Sequence, residues 1–285
     1  MRKHLQRKVS YSQQNPTGNG RSSKEAQVVI TVKLLAVERR QALIHAVRTH
    51  GRFEVAAAAA ELNTSTETIR KDLVVLEEQG LLTRVHGGAI QVQPLTFEPD
   101  VGSRTENLDE KRRIAARALE EVPHVGAIFI DAGSTTQLFA ELLVGTPGLQ
   151  VFTNALTVAG ALARKHFLNC HTLGGRVRPN SLGEVGPLAL RLFADYRFDV
   201  AFVGTNAASF GRGLCTPDPE EAAVKRLIIS SSDRVVLLAD HTKFGRDSLV
   251  KYATLDEVDL VVTGVELEPD KLSALTEAGI DTVRA

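Results

Sequence analysis

Residues Thr64–Ala89, TSTETIRKDLVVLEEQGLLTRVHGGA, constrain the fold more than any other stretch of this chain. Ser65 is a helix N-cap residue, and Ile69, Leu73 and Leu76 follow at the spacing of one apolar helical stripe. Thr66, Thr68, Arg70 and Lys71 crowd the first turns, where a recognition helix presents side chains to base edges and phosphates. Gly80 is expected to end the helix in a left-handed cap. Leu81–Val85 then has strand chemistry, and Gly87-Gly88 makes the tip of a hairpin flanked by Arg84 and His86. Taken alone, the same segment also reads as an ordinary amphipathic surface helix.

The residues upstream favour the first reading. Glu38–His50 is predicted as an amphipathic helix with Leu43, Ile44 and Val47 on one face. Gly51 breaks it, Val55–Leu62 is a short helix, and Asn63-Thr64 turns into Ser65. Helices joined by a tight turn and followed by a hairpin predict a winged helix-turn-helix over residues 34–92. The spaced residues Arg39, Leu43 and Val47, then Ser65, Thr68, Ile69, Arg70, Lys71, Asp72 and Leu73, resemble the DeoR family of bacterial sugar-metabolism regulators. The tail GLL-x-R-x-HGGA at Gly80–Ala89 matches the family pattern as well. The chain departs from it at Ala56–Ala60, five alanines where the family carries a Glu and a Leu, and at Thr64, where an aliphatic is usual. Alanine preserves helix propensity but removes a core side chain, so a thinly packed helix is expected there.

Charge is distributed unevenly along a chain whose formal net charge is zero. Residues 1–33 hold seven Lys/Arg against Glu25, residues 34–92 hold seven of each sign, and residues 93–285 hold 20 basic against 26 acidic. An acidic body discourages non-specific contact with nucleic acid, while a polarised helix face still engages phosphate. The Ser-, Gln- and Lys-rich residues 1–33 are expected to be a disordered basic leader, read either as a DNA-tracking arm or as a leader without function. No run of 18 apolar residues and no secretory h-region occur, so a cytoplasmic protein without membrane contact is expected. Cys170 and Cys215 lack ligand-like spacing, which argues against a metal or disulfide framework, and no cofactor is expected.

From Asp109 onward, helix and strand patterns alternate, predicting an α/β domain over 109–285 with a mainly parallel sheet. Residues 93–108, with Pro94 and Pro99, read as a linker. Strands are predicted at Ala127–Ile130, Leu149–Thr153, His171–Leu173, Asp199–Val203, Val235–Ala239 and Leu260–Thr263. The first delivers Asp131-Ala132-Gly133-Ser134-Thr135-Thr136 straight into a helix. Free backbone N–H groups, three hydroxyls and the helix dipole converge there on an anion-sized space, so phosphate is one natural guest. A tight turn with Ser/Thr capping is the other reading.

The resemblance extends to residue 264. Asp131–Thr136 resembles the family's D-x-G-[ST]-T-T, Thr153-Asn154-Ala155 its TNS, and Leu173-Gly174-Gly175 its LGG. Glu220-Glu221-Ala222 with Lys225 resembles its EAxxK, and Ala239–Gly245 its ADxSKFG. The family implies an effector domain similar in fold to ribose-5-phosphate isomerase. It implies effector contacts at Asp131, Gly133, Ser134, Thr135, Thr136, Asn154, Gly174, Gly175, Glu221, Lys225 and Lys243. Structural roles compete at each: a turn for Asn154, a dipole partner for Glu221, solvated charge for the lysines. The implied function is a DNA-binding regulator, a homo-oligomeric repressor released from double-stranded operator DNA by a phosphorylated sugar. The alternative is a sugar-phosphate isomerase carrying a DNA-binding head, for which Glu221, Lys225 and Asp240 would supply acid and base.

Overall fold

The computed structural model describes residues 35–79, 81–91, 95–145, 147–165 and 169–285. The expectations for residues 1–33 and for Gly80 lie outside these. The chain divides into two units, Met1–Val92 and Gln93–Ala285.

In the first unit, α1 (Ala36–His50), α2 (Val55–Glu61) and α3 (Thr66–Glu78) pack around a small core. That core joins Leu43, Val47, Val55, Ala58, Ala59, Ile69, Leu73, Leu76, Leu82 and Ala89. The alanine run therefore buries only methyl groups against the other helices. Gly51, at φ +74°, closes α1 through its N–H to the Val47 carbonyl. Strands β1 (Arg52–Glu54), β2 (Thr83–Val85) and β3 (Gly88–Ile90) form an antiparallel sheet in the order β1-β3-β2. The reading of the hairpin missed β1, whose three residues are too few to show a period. It dictates the glycine at 88: a Cβ there would stand 2.2 Å from the Phe53 carbonyl oxygen. Gly87, at φ +77°, supplies the turn itself.

The second unit runs α4 (Leu108–Ala118), β4 (Gly126–Ile130), α5 (Ser134–Leu142), β5 (Leu149–Thr153), α6 (Leu156–Ala163) and β6 (Cys170–Thr172). A hairpin of β7 (Arg176–Val177) and β8 (Glu184–Val185) leads to α7 (Pro187–Phe193) and β9 (Val200–Val203). Next come β10 (Ala207–Ser209), β11 (Gly213–Thr216), α8 (Pro219–Ser230) and β12 (Val235–Leu238). The chain ends with β13 (Val250–Ala253), β14 (Leu260–Thr263), α9 (Pro269–Glu277) and β15 (Asp281–Arg284).

Seven strands make one parallel sheet in the order β15-β14-β12-β9-β4-β5-β6, and β10, β11 and β13 form a separate antiparallel sheet. Side chains alternate across the parallel sheet. Ile128, Ile130, Phe202, Val236 and Val262 face α4, α5 and α6, whereas Phe129, Ala201, Val203, Leu237 and Val261 face α7, α8 and α9. Both faces are covered, so the strands read as continuous apolar runs. The order reverses between β4 and β9: from β4 the chain winds out to β6, then returns to β9 and winds the other way. A crevice opens at such a reversal beyond the strand C-termini, where open α/β sheets bind ligands.

Candidate functional site

In the first unit, the recognition face is the N-terminal half of α3. Ser65 caps the helix by accepting the Thr68 N–H (3.1 Å), and the hydroxyls of Ser65 and Thr68 lie 2.8 Å apart. These two candidate DNA contacts are thus already engaged with each other as a cap. Thr66, Arg70 and Lys71 are exposed, with Arg70 3.7 Å from Glu67. The helix is anchored from behind. Asp72, buried at 2% exposure, takes the Arg39 guanidinium at 2.5 Å and that of Arg40 at 2.8 Å. Arg84, expected to reach along the wing, is bound back onto α3 through Glu77 at 2.5 Å. His86 is exposed at the turn.

In the second unit, the strand ends at the reversal bring the predicted residues together. Asp131 follows β4, Asn154 follows β5 and Gly204 follows β9, and Asp131 and Asn154 are both fully buried. The Gly204 N–H donates to Asp131 Oδ2 (3.1 Å), spanning the crevice. Lys225, from the inward face of α8, reaches the same oxygen and also donates to the Gly204 carbonyl (3.0 Å). The Tyr252 hydroxyl donates to that carbonyl as well (3.0 Å), and Lys225 Nζ stands 5.5 Å from the Tyr252 ring centroid. Glu221, one turn before Lys225, lies 3.7 Å from its ammonium and accepts from the Thr216 hydroxyl (3.2 Å).

Burial alone would lower the Lys225 pKa, but the neighbouring Asp131, Tyr252 and Glu221 outweigh it and hold the ammonium above its ordinary value. Burial pushes Glu221 up, against the pull of Lys225 and Arg178. Two buried polar atoms here have no hydrogen-bond partner: Asp131 Oδ1, an acceptor, and Asn154 Nδ2, a donor. Asn154 Oδ1 meanwhile accepts the Ala132 N–H (3.2 Å). Buried polar atoms are paired as a rule, so an unpaired donor and acceptor on neighbouring strand ends suit a ligand hydroxyl.

Other candidates serve the scaffold. In the Gly133–Thr136 loop, Thr136 is fully buried and its hydroxyl donates to the Gly133 carbonyl (3.1 Å). That leaves Ser134, Thr135 and the first N–H groups of α5 for an anion. Gly174, at φ +73°, gives its N–H to Glu184 (2.9 Å). Gly175 passes so close to β8 that a Cβ would stand 2.7 Å from the Val185 carbonyl. These two glycines shape a turn.

Lys243 follows β12 and lies 3.9 Å from Asp240. Beside it is Lys111, a residue that sequence reasoning missed. Its signal was periodicity: Lys111 precedes Ile114, Ala115 and Ala118 on the buried face of α4, a position where a charge needs a reason. Burial lowers both lysines' pKa values, and the charge of Lys243 lowers that of Lys111 further. Arg178 and Glu98 were missed as well, being remote in sequence from every motif; they are buried and paired at 2.7 Å. Glu110, Asp240 and His241 offer donor atoms within 4.8 Å of one another, the arrangement a metal would use. Here His241 Nδ1 lies 2.7 Å from Glu110, and Lys243 and Lys111 bring positive charge to Asp240, which suits an anion better than a cation.

A helix-turn-helix head joined to a doubly covered α/β unit with a polar crevice at its strand reversal defines a two-part, ligand-sensing DNA-binding protein. The comparisons with known proteins agree. A family described as "DeoR-like helix-turn-helix domain" matches residues 39–94, and one described as "DeoR C terminal sensor domain" matches residues 106–265. The "HTH-type transcriptional regulator GlpR" of Haloferax volcanii is 35% identical over 88% of this chain and 98% of its own length. The "Glycerol-3-phosphate regulon repressor" of Escherichia coli is 31% identical over 84% of this chain and 95% of its own. The chain belongs to the DeoR family of transcriptional regulators. Ribose 5 phosphate isomerase A from Neisseria gonorrhoeae is a structural neighbour, with a TM-score of 0.37 at 20% identity over 49% of this chain and 55% of that one. Among the described residues, no helix is long and apolar enough to cross a membrane.

Proposed function

We propose that this chain is a repressor of a carbohydrate or polyol catabolic operon, acting in the cytoplasm as a homo-oligomer and released from double-stranded operator DNA by a phosphorylated sugar. The observation that carries the reading is the crevice at the β4/β9 reversal. It brings together an unsatisfied carboxylate oxygen, an unsatisfied amide nitrogen and the N-terminus of α5, with the buried Lys111 and the half-buried Lys243 near Asp240 after β12. The first pair suits hydroxyls and the second group suits a phosphate. On the head, the exposed Thr66, Arg70, Lys71 and His86 are the side chains that meet DNA, with Ser65, Thr68 and Arg84 shaping the surface.

An isomerase would need a base in this crevice. Lys225 is held protonated beside Asp131, and Glu221 accepts hydrogen bonds from Arg178 and Thr216. Both are committed to the fold, which supports a binding role for these two residues. The test is a thermal-shift screen over sugar phosphates and their dephosphorylated forms, followed by fluorescence anisotropy with DNA from upstream of the gene. The expected result is stabilisation by one phosphorylated sugar alone, which also lowers DNA affinity. Equal stabilisation by the phosphate-free sugar, or conversion of ribose 5-phosphate to a product, would overturn the reading.

A further inference from the structure

The segment 95–107, which reads in sequence as a bare linker, is joined to the crevice by buried charge. Glu98, 8% exposed, accepts from Arg104 on Oε1 (2.6 Å) and from Arg178 on Oε2 (2.7 Å). Arg178, from the turn between β7 and β8, also reaches Glu221 and lies 3.2 Å from Asp218. Glu221 in turn faces Lys225, which holds Asp131. The contact is doubled by backbone. The Val101 N–H donates to the Asn180 carbonyl (2.6 Å), and the Asn180 amide donates to the Glu98 carbonyl (2.9 Å). The same turn holds Leu182 at φ +52°, a conformation that a leucine adopts only under constraint from its surroundings.

We propose that Glu221, Arg178 and Glu98 form a relay through which occupation of the crevice alters the hold on residues 95–107, the stretch that connects in sequence to the DNA-binding head. The proposal rests on the crevice being the effector site. Its physical basis is that none of these buried charges can be left without a counter-charge. When a ligand draws on Lys225 or Asp131, Glu221 loses part of its compensation from Lys225 and leans on Arg178. Glu98 then loses part of its share of Arg178. The turn at Leu182 is held in its left-handed conformation by its surroundings, so it is the part of the hairpin that yields when those contacts weaken. Glu98 and Arg178 are thus coupling residues that touch no ligand.

Two experiments on the full chain test this. The first needs no ligand. Hydrogen exchange is followed in residues 95–107 of the wild type and of Glu221→Gln, which removes the charge at the crevice end. With the Glu221 charge gone, Arg178 leans on Glu98 and Asp218 alone, so the amides there are expected to exchange about tenfold more slowly in the variant; unchanged or weakened protection in a folded Glu221→Gln protein would overturn the relay. The second uses the absence of tryptophan from the chain. Phe97→Trp places a reporter at an exposed position beside Glu98. It is titrated with glycerol 3-phosphate, ribose 5-phosphate and glucosamine 6-phosphate, with binding measured independently by calorimetry. The sugar that binds is expected to shift the emission, and Glu98→Gln is expected to abolish the shift while calorimetric affinity is retained. An undiminished shift in Glu98→Gln would overturn the relay, because a merely structural Glu98 leaves coupling intact. Absence of calorimetric heat with every sugar phosphate would instead sink the effector reading of the crevice, leaving the exchange result to judge the relay alone.

Discussion

Lys225→Met should be among the most damaging substitutions in the second unit. Lys225 is 1% exposed and Asp131 is fully buried, and the ammonium also compensates Glu221 at 3.7 Å. Met fills a similar volume, so the loss is one of charge. Removing one partner of a buried pair and leaving the other costs about 3–5 kcal/mol. At about 2–4 °C per kcal/mol for a unit of this size, the melting temperature should fall by about 6–20 °C. In the wild type the ammonium, held above its ordinary 10.5, is charged throughout the neutral range, so the pair itself adds no pH dependence there. In the variant, Glu221 loses one of the two cations that oppose its desolvation, so its native pKa rises further above the ordinary 4.5. A carboxylate whose native pKa is raised binds more protons when folded, so stability falls as pH rises through that window. The deficit should therefore grow as pH rises above the ordinary carboxylate range and shrink as pH falls back towards it. Lys225→Met combined with Asp131→Asn should recover part of the loss, since a pair replaced as a whole costs far less than one broken. Calorimetric melts of the single and double variants across pH provide the measurement. A single variant that melts within about 2 °C of the wild type, or losses that simply add in the double variant, would refute the argument.

Three further outcomes are expected. Arg70→Ala should cost about 1–3 kcal/mol of operator discrimination, whereas Lys71→Ala should weaken all sequences alike and lower the salt slope by about one; unchanged affinity in both, by anisotropy, refutes the assignment of this face. Gly133→Leu should fold, because the backbone at 133 is extended and its Cβ meets only Thr136 Oγ1 at 3.1 Å. It should bind operator yet resist release by the sugar phosphate, and full induction in a reporter assay would show that the loop is only a turn. Gly88→Ala should unfold the wing, because β1 occupies the space of the new Cβ. Gly102→Ala, with nothing within 4 Å, should change stability by less than about 0.5 kcal/mol, and equal melts for the two would contradict the close approach to Phe53.

How far the sequence foretold this molecule depends on the range over which each feature is encoded. Helices α1 and α3 and the central strands β4, β5, β9, β12 and β14 carry their signal in several consecutive residues: Ser65 before a stripe, or runs such as Val235–Leu238. Those were legible. Strands β1, β7, β8, β10 and β11 hold two to four residues each and exist because a neighbour pairs with them, so no local period announces them. The edge strand β15, Asp281–Arg284, is half-exposed and lacks the apolar run of the strands it extends.

The site follows the same rule with one reversal. Asp131, Asn154, Glu221 and Lys225 were named from motif positions, and the strand order brings their side chains to one crevice. Yet several hydroxyls and glycines from the same motifs are spent on the chain itself. Ser65 and Thr68 cap α3, Thr136 closes the Gly133 turn, and Gly174 and Gly175 shape the turn held by Glu184. A helix N-terminus has unmet N–H groups whether or not a ligand comes, so the nearest hydroxyl or carboxylate competes with any guest for them. Motif residues with local partners are therefore the weaker candidates for ligand contact. Those left unsatisfied in a buried crevice, Asp131 Oδ1 and Asn154 Nδ2, are the stronger ones. Glu98 and Arg178 mark the other limit. Each is a charged residue in an unremarkable stretch, and its meaning arises only when the β7–β8 turn sets 178 against a segment 80 residues earlier in the chain. Local patterning cannot encode such a pairing, and the path between sensing and release has to be read from the folded molecule.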